Sequence, residues 1–249
     1  MADAVDGTAG VPGAAGACGA AGVSDEPPVE GPTAGTATVE GATAEADSAE
    51  GSFTDESFAD VTPDAARRLL LGAVEAFAER GFHATTTRDI AGRAGMSPAA
   101  LYIHYRTKEE LLFQISRVGH ERSVRILTEA AATGGTPAER LDAAVRTFVR
   151  WHAAYHTTAR VVQYELAALG EEHYGEIVVM RRRTEEILRT VLSEGVAAGE
   201  FAVEDINGTA LAVLSLCIDV ARWYRTGGPR TPDEIGALYA GLVRRMVSA

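Results

Sequence analysis

The polar side chains with the most informative spacing lie within residues 85–108. A short helix predicted over 98–104 exposes hydroxyl, imidazole and apolar groups and no carboxylate. Such a face suits a polyanion, because an exposed carboxylate would repel it. The side chains expected on this face are Pro98, Ala99, Tyr102, Ile103 and His104. Residues 61–108 contain seven basic and four acidic residues, so this part of the chain carries a positive excess.

Two predicted helix N-termini flank this face and indicate phosphate binding. Thr86 and Asp89 have the spacing of a capping pair, and Thr87 and Arg88 lie in the first turn that follows. Lys108, the only lysine in the sequence, falls in the first turn of the next helix. Free amides at a helix N-terminus, together with a flexible ammonium group, can hold a phosphate.

The elements that must position these groups form a helix–turn–helix. The first short helix, about 87–94, has a small apolar face made of Ile90, Ala91 and Ala94. Gly95 follows at a sharp turn, where glycine tolerates a left-handed backbone. Ser97 is then placed to cap the second helix, in which Leu101 and Tyr105 are spaced by four residues and face inward. The outer side of this second helix remains free to contact a ligand.

The string FAERGFHATTTRDIAGRAGMSPAALYIHYRTKEELL resembles the DNA-binding domain of the tetracycline-repressor (TetR) family, and the resemblance covers about 63–115 closely. It implies that Thr87 and Arg88 contact the groove and backbone of double-stranded DNA and that Lys108 contacts a phosphate. The positions of the recognition helix are held by Ser97, Pro98, Ala99, Ala100, Tyr102, Ile103 and His104. The C-terminal helices resemble the family less closely.

Three residues depart from the family pattern. Ala99 stands where many members have glycine, Ile103 where Tyr, His or Trp is usual, and Tyr105 where Phe is usual. Ile103 favours apolar contact with a thymine methyl group over hydrogen bonding, so the departures bear on the operator sequence. An alternative stays open in which Tyr102 and His104 are ordinary surface residues of a helical bundle.

The rest of the chain predicts an all-α fold of about nine helices. Ser/Thr–Pro pairs mark helix starts at Thr62, Ser97, Thr136 and Thr231, and Thr107 heads a further capping sequence. We expect a helix–turn–helix domain over 61–107 and a helical ligand-binding and dimerisation domain over 108–249. The predicted helices span about 63–80, 87–94, 98–104, 108–131, 137–155, 158–169, 174–198, 205–225 and 232–247.

The net charge of −12 belongs to one end of the chain. Residues 1–60 contain 12 acidic residues and no Lys or Arg, whereas residues 61–249 are balanced. This Ala/Gly-rich segment predicts a disordered acidic tail, either inert or shielding the DNA-binding face. We expect no uninterrupted apolar run of membrane-spanning length and no secretory signal. Cys18 and Cys217 make neither a disulfide framework nor a zinc site, which favours the cytoplasm.

A palindromic operator would require two copies of the chain. The last two helices are long and apolar and are expected to form the homodimer interface, as the resemblance implies. Their apolar positions include Leu211, Leu214, Ile218, Ile235, Leu238, Leu242 and Met246. The alternative is simple packing within one subunit.

The remaining helices are expected to enclose a cavity for a small-molecule effector. Polar or aromatic residues on otherwise apolar helices are the candidates: Arg117, Phe148, Trp151, His152, Tyr155, Gln163, Tyr164, Met180, Arg183 and Arg222. Residues 220–243 resemble actinobacterial members that respond to acyl-CoA thioesters, including regulators of steroid-ring catabolism. The resemblance implies that Arg222 and neighbouring arginines pair with CoA phosphates; the alternative is that these arginines form salt bridges.

Catalytic and metal chemistry have little support in the sequence. His152 and His156 are spaced by four residues, but no third ligand follows at a telling distance, which leaves only an approach by Glu165 or His173. We therefore expect no metal and no cofactor. Neither a nucleophile–base pair nor a glycine-rich phosphate loop is recognisable. The prediction is therefore a homodimeric, ligand-responsive transcriptional repressor without a membrane partner. Two alternatives remain: an all-α enzyme or carrier with a vestigial DNA-binding unit, and an activator or architectural regulator.

Overall fold

A computed structural model of the chain describes residues 58–248. Most of the predicted acidic tail lies outside the described residues. At its end, however, Phe58 is buried in the N-terminal core, and its carbonyl accepts a hydrogen bond from Val61 N at 3.0 Å. The compact unit therefore begins at least three residues earlier than the sequence analysis predicts, because Phe58 supplies apolar area to that core.

The prediction of an all-α fold with nine helices is confirmed, and within residues 58–248 no strand occurs. The helices are α1 Asp64–Ala84, α2 Thr87–Arg93, α3 Pro98–His104, α4 Lys108–Ala132, α5 Pro137–Ala154, α6 His156–Tyr164, α7 Glu171–Ala197, α8 Ile206–Trp223 and α9 Pro232–Val247; a short 3-10 turn spans Leu166–Ala168. Gly81, expected to end the first helix, has a φ of 76° and makes a kink, after which α1 continues to Ala84.

Side-chain capping explains most helix starts. Thr86, Thr136 and Thr231 each form a reciprocal capping box with the acid three residues later. Thr107 accepts from Glu110 N, but the Glu110 carboxylate accepts from Arg106 N instead of closing the box. The predicted cap at Thr62 is wrong. Pro63 occupies the N-cap position of α1, because the helix begins one residue later than expected.

Two hydrophobic cores share helix α4. The N-terminal core joins α1, α2 and α3 to Leu111, Leu112 and Ile115 of α4 and to Val161 and Val162 of α6. The C-terminal core is built from α5, α7, α8 and α9 and includes Ile126 and Leu127 of α4. The predicted boundary at 107/108 thus falls at the start of a helix whose first turns pack with the helix–turn–helix.

Helix α8 is, within the described residues, long and apolar enough by length and composition to cross a membrane. Its buried positions, such as Val213 and Cys217, pack into the C-terminal core. Asp219 and Arg222 interrupt its apolar character and form an ion pair at 2.6 Å. The apolar composition of α8 therefore serves a core on one side, and its other side carries exposed apolar residues such as Leu211.

Two glycines of α7 allow a matched test of how α7 packs against the Phe201 ring. We expect Gly195→Ala to lower the free energy of unfolding by about 1–3 kcal/mol, because a methyl group there would lie 2.0 Å from the Phe201 ring. Gly175→Ala should raise it by about 0.5–1 kcal/mol, since this helical position faces open space among the described residues. Thermal unfolding of both variants measures the difference, and equal midpoints would contradict the packing.

Candidate nucleic-acid interface and interior cavity

The turn between α2 and α3 holds the two helices in a fixed relation. Gly95 adopts a φ of 65°, and Met96 N donates to Ala91 O at 2.8 Å. Leu101 is fully buried, and the Tyr105 hydroxyl donates to Ala66 O at 3.2 Å. The expectation that Leu101 and Tyr105 face inward is confirmed, so the opposite side of α3 is turned away from the core.

The outward side of α3 is exposed. Ile103 is 80% exposed and Tyr102 is 54% exposed. Ser97, Pro98 and Ala99 at the start of the helix are exposed, whereas Ala100 and His104 are half-buried. The helix therefore presents apolar and hydroxyl groups without a carboxylate, as the sequence analysis expects.

The start of α2 lies against α3 but has fewer free donors than expected. Thr87 Oγ1 and the Tyr102 hydroxyl lie 3.2 Å apart, which links the two helices at the exposed surface. Thr86 donates both its N–H and its hydroxyl to the Asp89 carboxylate, at 2.9 and 2.7 Å. These bonds lower the pKa of Asp89. Since both Thr86 donors are occupied internally, Arg88, which is exposed, is the better placed phosphate contact of this turn.

Lys108 differs from the free ammonium group expected from the sequence. Its Nζ donates to Phe82 O at 2.6 Å and to Thr85 O at 2.7 Å, and it lies 4.2 Å from the centre of the Phe82 ring. Burial lowers the pKa of Lys108. The side chain thus binds carbonyl groups at the C-terminal end of α1, where a positive charge is favoured. Its contact with a DNA phosphate stays a prediction.

A cavity of about 250 Å³ lies in the C-terminal part, between α4, α5, α6, α7 and α8. Its lining residues are His120, Ser123, Phe148, Gln163, Val178, Arg181, Arg182, Thr184, Glu185, Leu211, Leu214, Ser215 and Ile218. Arg181 and Arg182 are exposed, whereas His120 is buried. The cavity therefore has two arginines at its edge toward solvent, the half-buried Glu185 beside them and a buried histidine in its interior.

The predicted effector residues are only partly brought together. Phe148 and Gln163 line this cavity. Trp151 and His152 are buried in the C-terminal part of the fold, and Tyr155 is half-buried. The other five candidates lie elsewhere, beside partners of their own: Arg117 beside Gln114, Met180 and Arg183 in a separate groove with Glu121, Arg222 against Asp219, and Tyr164 near Asp219.

Two of the candidate arginines have acidic partners on their own helices. Arg222 makes a two-pronged ion pair with Asp219, at 2.6 and 3.0 Å, and lies beside α1 and α6 instead of at the cavity. Arg183 pairs with Glu186 one turn along α7. Both arginines therefore have an acidic partner one helical turn away. A contact of either arginine with a ligand stays a prediction.

His120 is the main residue that the sequence analysis missed. It is buried on α4, and its Nδ1 lies 2.8 Å from Ser116 O. Burial lowers the pKa of His120 to about 4, with the positive charge of Arg181 acting in the same direction. The available signal was its spacing of four and seven residues from Ser116 and Leu127, which places it on the inward side of a long helix.

No group of three metal-ligating side chains occurs within the described part of the chain. His152 Nδ1 lies 2.8 Å from Phe148 O and His156 Nδ1 lies 3.1 Å from Ala153 O, so each ring bonds to the backbone of its own segment.

Comparison with known proteins gives consistent matches to one family. Residues 64–115 match the model of bacterial regulatory proteins of the tetR family, and residues 134–247 match the tetracyclin repressor-like C-terminal domain. The HTH-type transcriptional repressor KstR2 of Rhodococcus jostii (strain RHA1) is 32% identical over 188 residues, which are 74% of this chain and 92% of the relative.

Two solved structures have the same fold. A bacterial regulatory protein in the tetR family from Rhodococcus RHA1 is 42% identical, with a TM-score of 0.72 over 76% of this chain and 99% of that one. The ketosteroid transcriptional regulator KstR2 of Mycobacterium tuberculosis is 26% identical, with a TM-score of 0.70 over 76% and 97% of the two chains.

The capped helix–turn–helix and its exposed second helix define a DNA-binding protein of the helix–turn–helix class. The chain belongs to the TetR family of transcriptional regulators. It is therefore a regulator and not an enzyme, and the alternative of an enzyme or carrier with a vestigial DNA-binding unit is set aside.

The stabilising effect of the Lys108 hydrogen bonds can be distinguished from the effect of removing one positive charge. We expect Lys108→Met to lower the free energy of unfolding by about 1–2 kcal/mol, because it removes charged hydrogen bonds to the Phe82 and Thr85 carbonyls. Arg106→Met removes the same charge from an exposed side chain and should change stability by less than about 0.5 kcal/mol. Chemical denaturation measures both values; similar losses would refute the cap.

Proposed function

We propose that the chain is a homodimeric, ligand-responsive repressor that binds a palindromic operator in the cytoplasm. The exposed side of α3 carries this proposal, because Ile103 and Tyr102 are large side chains left in solvent by a helix whose other side is fully packed. Two such helices, roughly 34–36 Å apart, would enter successive major grooves of the operator.

Within each half-site the residues divide into two groups. Tyr102, Ile103 and His104 face the base edges, with Ile103 against a thymine methyl group. Arg88, Thr87 and Lys108 contact the phosphate backbone, together with the amides that open α2 and α4. The N-terminal turn of α3, comprising Ser97, Pro98, Ala99 and Ala100, lies closest to the groove floor and lets the backbone approach.

A patch of exposed apolar side chains supports the homodimer. It consists of Leu211, Leu216 and Trp223 on α8 and Leu238, Leu242 and Met246 on α9. On α9 the apolar residues divide between two sides. Ile235, Tyr239 and Val243 pack into the subunit core, whereas Leu238, Leu242 and Met246 face outward. A helix with apolar residues on both sides is typical of a subunit interface.

The cavity beside His120 is the site we propose for the effector, an apolar molecule or an acyl-CoA thioester. Its interior would take the apolar group, while Arg181 and Arg182 at its edge would attract an anionic part such as CoA phosphates. These two residues replace Arg222 in the role that the sequence analysis proposes. A bulky apolar ligand is also consistent with the structural relative from Mycobacterium tuberculosis, which is a ketosteroid transcriptional regulator.

Contacts between the cavity helices and the DNA-binding unit offer a route for the response. Gly119, next to His120, lies so close to Val162 that an added Cβ would be 2.8 Å from the valine side chain. Three residues beyond Val162, the Glu165 carboxylate accepts from Phe82 N at 3.2 Å. A ligand that binds better to a state with a different α4–α6 arrangement would shift the population away from the DNA-bound spacing.

Direct base contact by α3 is tested with Tyr102→Ala. We expect this change to weaken binding to the promoter DNA of the chain's own gene about 5–100-fold, since one specific contact is worth about 1–3 kcal/mol. Binding to random DNA should change little, because that binding rests on phosphate contacts. Gel shifts at several salt concentrations measure both, and equal losses on the two DNAs would place Tyr102 outside the interface.

The dimer is tested by placing a charge in the apolar patch. Leu242→Asp should yield monomers and weaken operator binding at least tenfold, because a buried, unpaired carboxylate opposes association. Val179→Asp makes the same kind of change at an exposed position of α7 outside the patch and should leave both properties unchanged. Sedimentation and gel shift supply the readouts; a dimeric Leu242→Asp protein would argue against this interface.

A further inference from the structure

The buried His120 ring lines the cavity and has one nitrogen without a partner in the described part of the chain. The side chain is 2% exposed and lines the cavity, and its Nε2 has no hydrogen-bond partner among residues 58–248. Its other nitrogen, Nδ1, lies 2.8 Å from Ser116 O. A buried polar atom without a partner is costly, so the atom calls for an explanation in the function of the site.

The bond to Ser116 fixes which nitrogen carries the hydrogen. A carbonyl oxygen only accepts, so Nδ1 must donate, and in a neutral imidazole Nε2 is then a bare acceptor. The ring is neutral near pH 7, because burial lowers the pKa of His120 to about 4. His152 has the same arrangement: its Nδ1 lies 2.8 Å from Phe148 O, and its Nε2 is also unpartnered among the described residues. Burial has the larger effect in lowering the pKa of His152, and His120 lies close enough for its charge to lower that pKa further.

The hydroxyl groups around the cavity do not supply donors to these nitrogens. Ser123 donates to Gly119 O at 3.0 Å, Thr184 to Met180 O at 3.1 Å, and Ser215 to Leu211 O at 2.8 Å. Each hydroxyl hydrogen is therefore directed back to its own helix, and the oxygen lone pairs remain available as acceptors. The buried groups of the cavity thus offer acceptors. The donors lie at its exposed edge: the arginines, and the amide group of Gln163, whose oxygen accepts from Arg181 at 2.8 Å.

We propose that the inner end of the cavity selects an apolar ligand with a hydroxyl group, which donates a hydrogen bond to His120 Nε2. An ether or a hydrocarbon of the same size leaves this acceptor unpaired, and a carboxylate brings a negative charge against a lone pair. The proposal rests on the proposed effector site, but it specifies the chemical class of the ligand independently of operator binding.

The tautomer is tested first, on the full chain without any ligand. Long-range hydrogen–nitrogen correlation spectra of protein labelled with ¹⁵N in histidine distinguish a protonated Nδ1 from a protonated Nε2. We expect the His120 signals, assigned from their loss in His120→Gln, to show hydrogen on Nδ1 alone near pH 7. Hydrogen on Nε2 would overturn the proposal, because no acceptor would then face the ligand.

Ligand selection is tested with decanol and its isomer nonyl methyl ether, with decanoate as the charged comparison. Calorimetry should show decanol binding about 2–12-fold more tightly than the ether, since a neutral hydrogen bond contributes about 0.5–1.5 kcal/mol. His120→Leu should abolish this preference, and His120→Gln, which keeps an acceptor oxygen, should retain part of it.

Three results would overturn the proposal: equal affinities for the alcohol and the ether, a preference for decanoate that His120→Leu abolishes, or binding of none of the three probes. Gel shift of the same wild-type and His120 variants on the operator is measured in parallel. A protein that prefers decanol but fails to bind the operator would refute the proposed repressor, while the proposed ligand class would still hold. A protein that binds the operator but shows no preference for decanol would refute the ligand class and leave the repressor proposal intact.

Discussion

The continuity of helix α4 is the constraint on which the rest of the structure depends. Its first turns place Leu111, Leu112 and Ile115 in the core of the helix–turn–helix, and its last turns place Ile126 and Leu127 in the core of α5, α7, α8 and α9. A close-packed core resists small displacements of its members. Any movement of α4 at the cavity is therefore transmitted to the base of the DNA-binding unit.

Polar contacts at this junction limit which movements are possible. Glu109, at the start of α4, accepts from Gly170 N at 2.9 Å and lies 2.9 Å from His173 Nδ1, which connects α4 to the beginning of α7. The ring of His173 stacks on Phe113 at 3.8 Å. The Glu165–Phe82 bond adds a connection between the C-terminal end of α6 and α1. The start of α4, the end of α6 and the start of α7 are thus linked to one another and to α1. A ligand that separates α4 from α7 must change these links.

The helices and the exposed face of α3 could be predicted from the sequence, because capping pairs and the inward spacing of Leu101 and Tyr105 act within one or two turns. The effector residues were harder to predict, since their roles depend on neighbours far apart in the chain. Arg222 is conspicuous in the sequence, yet an aspartate one turn away satisfies it. His120 attracts no notice, because helices that join the fold much later bury it. Lys108 likewise bonds to carbonyls more than 20 residues away, which charge patterns alone do not reveal.

The size and polarity of the cavity together indicate how a ligand would act. A space of about 250 Å³ holds only part of a bulky effector, so a polycyclic or thioester ligand requires the cavity helices to move apart. The close approach of Gly119 to Val162 resists movement of α4 toward α6, whereas the contacts of His173 with Glu109 and Phe113 hold α4 to α7 near the DNA-binding unit. A hydroxyl group held at His120 would attach the ligand to α4 itself, and the arginine edge on α7 would hold its other end. In the proposed dimer, filling the cavity would separate α4 from α7 beside His120. Because α4 begins at the DNA-binding unit, this displacement would alter the spacing of the two α3 helices.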